Sequence, residues 1–554
     1  MTRDILLPLA AAGGFALTAS VFAFVYYRGL ALLQFYQQEE YNTERFLVWI
    51  VRRHAFDKKA TLTVLAAFIV WFALGRFAPV AFDLIFYAVL FAALTLGAAS
   101  SRRMRRAAKK PLIMTDRASR IFYSYMILVA FYFAGALAHD PDIYRDIPLL
   151  ASVFLAFFQA PPLFIVASNF VLRPLEEYVN YRYIREARKK LAKLSPEVVA
   201  ITGSYGKTTT KHILAHVLAA YAPTLATPAS VNTELGITRV LREELKAHHR
   251  YFVVEMGAYG PGSIANLCKL VPPRLGIVTG AGLAHLERFK TPETVFQAKF
   301  ELAEELNARG AKTIVNAGAV PEALFKTYLP SNPNLIVCGT EDTPFPLDAT
   351  LHSAAQGADG LTIRLSLKGR PLEVSVPLYG EHNGANVMLA AAAAVELGLS
   401  PDIIRAALKT VQQIPHRLEV IRNPGGATVI DYAYNSNPQG FESALKVLSA
   451  IAGKGGRRIL VSPGMVELGP MHDSEHRRLG GIAARHVDVA LIVGPERMAV
   501  FIEAFAAAKA KGAELHIYAT QAEAEAWVRA NAGPADTVLF ENNLPDLYEA
   551  VVEF

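Results

Sequence analysis

A β-branched run that breaks at glycine and restarts as a helix commits the middle of this chain to a strand–loop–helix unit. The segment is Val198–Lys211, VVAITGSYGKTTTK. Gly203 and Gly206 let backbone N–H groups approach an anion closely, and the N-terminus of the next helix adds its positive dipole end. In such a loop Lys207 reaches the β- and γ-phosphates and the Thr208 hydroxyl sits on Mg²⁺, with Ser204 and Thr209 beside them. The spacing is shorter than the common G-x-x-x-x-G-K-[ST] pattern, whose first glycine would fall at Ile201. A plain glycine turn with a surface lysine is the alternative, and it leaves the motifs further along unexplained.

Apolar residues make up 53% of the 554, and they are not spread evenly. Before Pro174 they form five candidate spans: Ile5–Tyr27, Thr61–Gly75, Phe77–Ala99, Ile121–Ala138 and Ile147–Ala167. Each approaches the roughly 20 apolar residues that cross a bilayer. Thr61–Gly75 is short, and reads as half of a hairpin with Phe77–Ala99 or as a re-entrant piece. Arg45, Arg52, Arg53, Lys58 and Lys59 follow the first span, and Arg102, Arg103, Arg105, Arg106, Lys109 and Lys110 follow the third. The other two loops are poor in lysine and arginine. Basic loops stay on the cytoplasmic side. The N-terminus is therefore expected outside, and everything after the fifth span inside, as a multi-pass protein of the cell (inner) membrane.

Two more segments read as interfacial. Leu30–Arg53 mixes aromatic and charged residues. Leu175–Leu194 carries Arg182, Arg185, Arg188, Lys189, Lys190 and Lys193, and reads as a basic helix touching anionic lipid or as a solvated connector. Much of the net charge of +7 sits on such flanks, so the lipid bilayer accounts for it and nucleic acid is not an expected partner. The two cysteines, Cys268 and Cys338, form no CxxC pair and no disulfide framework.

From Pro196 onward short β-rich runs alternate with helical stretches: VVAIT, YFVVEMG, RLGIVTG, AKTIVNAG and NLIVCG. That alternation implies a parallel sheet covered by helices. LTIRLSLKGRPLEVSVPL alternates with period two about a KGRP turn and predicts an antiparallel hairpin. After a break near Gln413–Arg417 a second alternation begins with ATVIDYAY, RRILVSPG, DVALIVG, ELHIYAT and DTVLFEN. The fold class is α/β: a helical transmembrane N-terminal domain over 1–173, a basic linker helix over 174–195, a P-loop parallel-sheet central domain over 196–414 and a C-terminal Rossmann-like domain over 415–554.

Further motifs follow the loop in order. VVEMG puts Glu255 at the end of a buried strand, where a carboxylate can hold Mg²⁺. AGLAHLERFKTPETVFQAKF carries His285 and then a helix start, with Thr291 as N-cap and Pro292 at the first helical position. Lys299 lies two turns into that helix. LYGEHNGANVMLAA offers His382, Asn383 and Asn386 entering an apolar helix, HRLEV supplies Arg417, and IDYAYNSNP supplies Asp431, Tyr434, Asn435 and Asn437. GMVELGPMHDSEH adds Glu467 and His476.

Taken together, the order and spacing from Val198 to the C-terminus resemble the Mur ligases, closest to the branch that adds D-alanyl-D-alanine. The resemblance implies an ATP-dependent, ADP-forming amide ligase. An acceptor carboxylate attacks the γ-phosphate of ATP to give an acyl phosphate, and the amine of an amino acid or peptide displaces phosphate. It implies two Mg²⁺ ions, one served by Thr208 and Glu255, the other by His285 and a carbamate on Lys299. It also places His382, Asn383 and Asn386 beside the adenine, with Arg417 and Asp431 drawing the C-terminal domain onto the nucleotide.

The chain departs from the family in two places. Membrane spans replace the soluble UDP-sugar-binding domain, so the expected acceptor is lipid-linked or another envelope carboxylate. Where the closest branch has a lysine-glycine-serine turn, this chain has Glu541, Asn542 and Asn543, which leaves the donor open. Two other readings fit the same residues: a ligase building a polyglutamate-type surface polymer, and a membrane scaffold or transporter that keeps a nucleotide-binding domain. Asp83, the main charge within the spans, is what a transport path would need.

Overall fold

The computed structural model describes residues 3–52, 56–107, 110–139, 146–282, 291–433, 436–466 and 468–544. The chain divides into two compact units, one built on Met1–Val179 and one on Asn180–Asn543.

The first unit is helical: α1 (Arg3–Gln38), α2 (Thr43–Arg52), α3 (Lys58–Leu74), α4 (Pro79–Ala107), α5 (Asp116–His139), α6 (Ile147–Gln159) and the start of α7 (Pro161–Leu194). Within α1, α4 and α5, the stretches Phe15–Gln38, Pro79–Arg106 and Asp116–His139 are long and apolar enough to cross a membrane. Among the described residues three helices, or four if a bent pair is one span, meet that test, where the sequence suggested five spans. α3 has only 17 residues. Ile147–Ala167 is broken after Gln159, where the Pro161–Pro162 pair starts a new helix at 63° to the old one. Leu30–Arg53 also differs from expectation. Its first part continues α1, and Leu30, Leu33, Phe35 and Tyr36 are buried in the unit's core beside Phe46 and Trp49. Gly29 lies inside α1 without ending it, no proline follows Tyr27 before Gln38, and the Arg28 charge is buried in an ion pair with Asp57. Asp83 accepts a hydrogen bond from the Trp71 indole at 2.7 Å. α7 runs without interruption through the composition change at 173–174.

The second unit holds two sheets. The first has the order β2-β3-β1-β4-β5-β6-β7-β8-β9, with β1 (Glu197–Thr202), β2 (Thr224–Ala226), β3 (Tyr251–Glu255), β4 (Leu275–Val278), β5 (Lys312–Asn316), β6 (Leu335–Thr340), β7 (Ala349–Gly357), β8 (Gly360–Leu367) and β9 (Arg370–Val376). Strands β1 to β7 pair in parallel, and their centres read as unbroken apolar runs because helices cover both faces. Val199, Ile201, Val253 and Ile277 are fully buried there. β8 and β9 form the expected hairpin, with Leu367 opposite Arg370. β7 joins it as a third antiparallel strand that the sequence pattern did not reveal. The chain builds outward from β1 to β3 and β2, then returns to β4 on the other side, so the loop after β1 opens at a topological switch point.

The second sheet has the order β10-β11-β15-β12-β13-β14, with β10 (Glu419–Arg422), β11 (Thr428–Tyr432), β12 (Arg458–Ser462), β13 (Val489–Val493), β14 (Glu514–Tyr518) and β15 (Thr537–Glu541). It is parallel except for the edge strand β10. The C-terminal half of α7 packs within this unit. Lys190 donates to the Arg242 carbonyl at 2.6 Å, and Arg242 pairs with Glu186 and lies over the Tyr183 ring.

Candidate active site

β1 ends at Thr202, and the next residues turn into the helix Lys207–Ala219. Gly206 has φ 78°, and a Cβ there would run into the Asn386 side chain. Gly203 has φ 147°, and its Cβ would meet the Thr279 hydroxyl. Both positions demand glycine for conformation and for space. Lys207 folds back over the loop, with Nζ donating to the carbonyls of Gly203 at 2.7 Å and Ser204 at 3.3 Å. Burial holds its amine below the ordinary lysine range, against the opposing pull of Glu255.

Parallel pairing sets Glu255 of β3 beside Ile201 of β1, one strand from the loop. The carboxylate is buried and fully engaged. Oε2 accepts from the Thr208 hydroxyl at 2.9 Å and from Lys211 Nζ at 3.3 Å, and Oε1 accepts from Asn232 Nδ2 at 3.0 Å. The Glu255 N–H donates to the Thr227 hydroxyl at 3.1 Å. Lys211 is itself fully buried, with a second bond to the Ala229 carbonyl. Sequence reasoning missed Lys211 and Asn232. Lys211 lies one helical turn after Lys207 and Thr208, which was the available signal; Asn232 becomes visible only when its loop meets β3.

Thr291 caps the helix Pro292–Asn307 by accepting from Thr294 N–H at 3.2 Å, with proline in the first turn. Lys299 follows two turns later and is 3% exposed. Burial, helped by the charge of Lys207, pushes its amine down to about 7. Asn383 opens the helix Asn383–Glu396 and donates to the Tyr379 carbonyl at 2.7 Å. Asn386 donates to Asn383 Oδ1 at 2.8 Å and accepts from the Thr210 hydroxyl at 3.2 Å, which ties this helix to the phosphate loop. His382 is exposed and bonds the Ser443 hydroxyl at 2.9 Å through Nδ1.

These groups share one cleft of about 870 Å³. Ser204, Gly206, Lys207, Thr208, Thr209, Glu255, Lys299, His382, Asn383, Asn386 and Arg417 all line it. Gly203 contributes its carbonyl to Lys207 from just behind. Asp431 is not among the lining residues: its Oδ2 lies 2.7 Å from His416 Nδ1, beside Glu419. His285, Tyr434, Asn435 and Glu467 lie outside the described residues.

The second sheet and its helices add Tyr432, Asn437–Gly440, Leu468, Met471, Glu475 and Arg478 to the lining. Asn437 caps the helix Pro438–Ile451 by accepting from Gly440 N–H at 2.9 Å. His476 is fully buried. Its Nδ1 donates to the His472 carbonyl at 2.8 Å and its Nε2 accepts from Met465 N–H at 3.1 Å, so it holds a neutral ring that anchors the loop after β12. Burial pushes it down to about 4.

At the end of β15, Glu541 is fully buried and takes hydrogen bonds from the Ser436 and Ser462 hydroxyls, the latter at 2.6 Å. Burial pushes its carboxyl from 4.5 up to about 7. A carboxyl raised on folding stabilises the folded state below its unfolded pKa, and that contribution is lost as pH rises through about 7. Glu541→Gln, which keeps a neutral group of the same size, is expected to raise the melting temperature by a few degrees at pH ~8 and to change it little at pH ~5. Equal shifts at both pH values in thermal unfolding scans would contradict this assignment.

Residues 201–394 match the Mur ligase middle domain, and residues 416–541 match the Mur ligase glutamate ligase domain. A UDP-N-acetylmuramoyl-tripeptide–D-alanyl-D-alanine ligase from Mycobacterium leprae is 31% identical over 380 residues, which is 62% of this chain and 70% of that protein. The chain belongs to the Mur ligase family. Among solved structures, MurF from Acinetobacter baumannii is 27% identical with a TM-score of 0.57, over 66% of this chain and 78% of that one. MurF from Thermotoga maritima, whose structure holds ADP, shares the fold at 24% identity and a TM-score of 0.56, over 67% of this chain and 82% of that one. As a Mur ligase the protein is an ATP-dependent, ADP-forming amide ligase, of a family that works with ATP and Mg²⁺.

Proposed function

We propose that this Mur ligase is anchored in the cell membrane and, at its inner face, joins an envelope carboxylate to the amine of an amino acid or peptide through an acyl phosphate. One observation carries the reading. The phosphate loop, the Thr208–Glu255 pair and a buried lysine with its amine near neutrality line a single cleft. Lys207 and the loop N–H groups would hold the phosphates of ATP. Asn383 and Asn386 brace the loop, and with His382 they would border the base. Arg417 and Asp431 flank the turn that leads into the second sheet, where closure would bring both domains onto the nucleotide.

The residues present fit Mg²⁺. Thr208 and Glu255 offer adjacent oxygen donors of the kind the ion prefers. Lys299 suits a second site, the one the family resemblance shares with His285, because only a neutral lysine amine adds CO₂ and burial has already brought this one to about 7. The resulting carbamate is an anionic oxygen ligand. Bound Mg²⁺ would supply the positive charge that screens the phosphates from the attacking carboxylate.

Membrane attachment is supported by helices of spanning length, by the outward-facing Phe15, Phe72 and Phe131, and by the basic loops. Asp83 and Arg28 each have a partner within the helical unit, which favours an anchor over a transport path. The proposed division is a membrane part (1–173), a linker (174–195), an ATP-binding domain (196–414) and a C-terminal domain (415–554). A lipid-linked or other envelope acceptor follows from the anchor. D-alanyl-D-alanine, which the relatives' names carry, is the first donor to test. Purified protein is expected to release ADP and phosphate one-to-one with amide formed; AMP and pyrophosphate would overturn the reading.

A further inference from the structure

We infer that α7 carries a docking stripe for an anionic lipid surface, on which Arg182, Arg185, Lys189 and Lys193 take the headgroups of acidic phospholipids. The inference rests on the membrane-anchor part of the reading above. It adds which lipid the chain recognises and which residues recognise it.

The stripe follows from the helical period. Val171, Leu175 and Tyr178 stand at i, i+4 and i+7 of α7, and all three are exposed. Arg182, Arg185, Lys189 and Lys193 continue the same row at i+11, i+14, i+18 and i+22, and they too are exposed. The opposite row, Ile184, Ala187 and Leu191, packs into the core of the second unit, which keeps the basic half of the stripe turned to the outside.

Charge is equally one-sided. The acids of α7 are all engaged: Glu176 with Arg120 at 2.6 Å, Glu177 with Arg173 at 2.7 Å and Glu186 with Arg242 at 2.9 Å. Among the described residues the basic side chains of the stripe pair with no acid. Like charges spread along about 17 Å of one helix face repel one another, and an anionic partner relieves that repulsion.

The order along the stripe selects the partner. An apolar row, then an aromatic ring, then a run of cations is the order of acyl chain, interface and anionic headgroup met on leaving a bilayer. An acidic protein would satisfy the cations and leave Val171 and Leu175 in water. A solvated connector would satisfy neither half.

The test uses the full-length protein in lipid nanodiscs, one set of phosphatidylcholine alone and one enriched in phosphatidylglycerol, each with a nitroxide on some headgroups. Cys268 and Cys338 are buried, so a fluorophore on Ala192→Cys, an exposed position beside the stripe, reports alone. Its quenching by the nitroxide is expected to be about threefold stronger in the phosphatidylglycerol discs. It should fall to the phosphatidylcholine level at about 1 M salt, where the screening length is about 3 Å. Arg182→Gln, Arg185→Gln, Lys189→Gln and Lys193→Gln together should remove the phosphatidylglycerol effect and keep ADP affinity within about twofold, which shows the fold intact. Equal quenching in the two discs, with the protein retained in both, overturns the inference and leaves the anchor standing. So does a phosphatidylglycerol effect that survives all four changes. Release of the label from lipid by an equimolar soluble oligoglutamate assigns the stripe to an acidic protein and also overturns it. A protein that enters neither disc overturns the anchor reading, and the inference with it.

Discussion

The Lys299→Ala enzyme is expected to lose ligation by about a thousandfold or more while still binding ATP. The separation follows from where the two lysines sit. Lys207 belongs to the phosphate loop, with Nζ on the loop carbonyls. Lys299 comes from a different helix, is buried, and has its amine near 7, where it can add CO₂. On the proposed reading, removing it takes away an oxygen ligand and leaves the phosphate cradle. Lys207→Ala should instead weaken nucleotide binding itself. Added bicarbonate should not rescue Lys299→Ala, because no amine remains to carbamylate. Acetate or formate should restore part of the activity by filling the vacated ligand position. Steady-state ligation beside ADP titration checks all of this, and full activity of Lys299→Ala would overturn the carbamate and the second metal site built on it.

Glu255→Gln is expected to cost about a thousandfold in kcat and to raise the Mg²⁺ concentration needed for half-maximal rate. It also has a structural cost, because the buried Lys211 loses its ion-pair partner. Breaking a buried pair by removing one member typically costs about 3–5 kcal/mol. The double variant Glu255→Gln/Lys211→Met removes the stranded charge. It should recover most of the lost stability in a denaturant titration and none of the activity. Recovery of both together would mean that Glu255 acts only by holding the fold.

Much of the site was legible because its signals are local. Gly203, Gly206 and Lys207 sit within five consecutive residues, and Glu255 and Lys299 each follow a readable strand end or helix start. What escaped depends on chain segments far apart. Lys211 looks like an ordinary helix lysine until β3 brings Glu255 against it. Asn232 needs the same strand. Arg478 reads as a surface residue until Glu442, on another helix, fixes it at the cleft. Asp431 was read at the right strand end, but its carboxylate is engaged by His416, three residues before β10.

The helical unit shows the opposite limit. Hydropathy found the apolar stretches but not where helices stop. The break at Pro161 and the short α3 are set by a proline pair and by packing, so five windows became three long helices and one bent pair. The strand β7 was hidden for a similar reason. Its sequence ATLHSAAQG has weak alternation, and pairing with β8 supplies the order that its side chains do not.

The central claim is that an acceptor carboxylate attacks the γ-phosphate of ATP in this cleft. The most direct measurement follows oxygen through one turnover, using an acceptor whose reacting carboxylate carries a heavy-oxygen label. The attacking oxygen becomes the bridge of the acyl phosphate and departs with phosphorus when the amine displaces it. One labelled oxygen in the released inorganic phosphate is the predicted result. Label recovered in AMP, or phosphate released without label while amide forms, would contradict it.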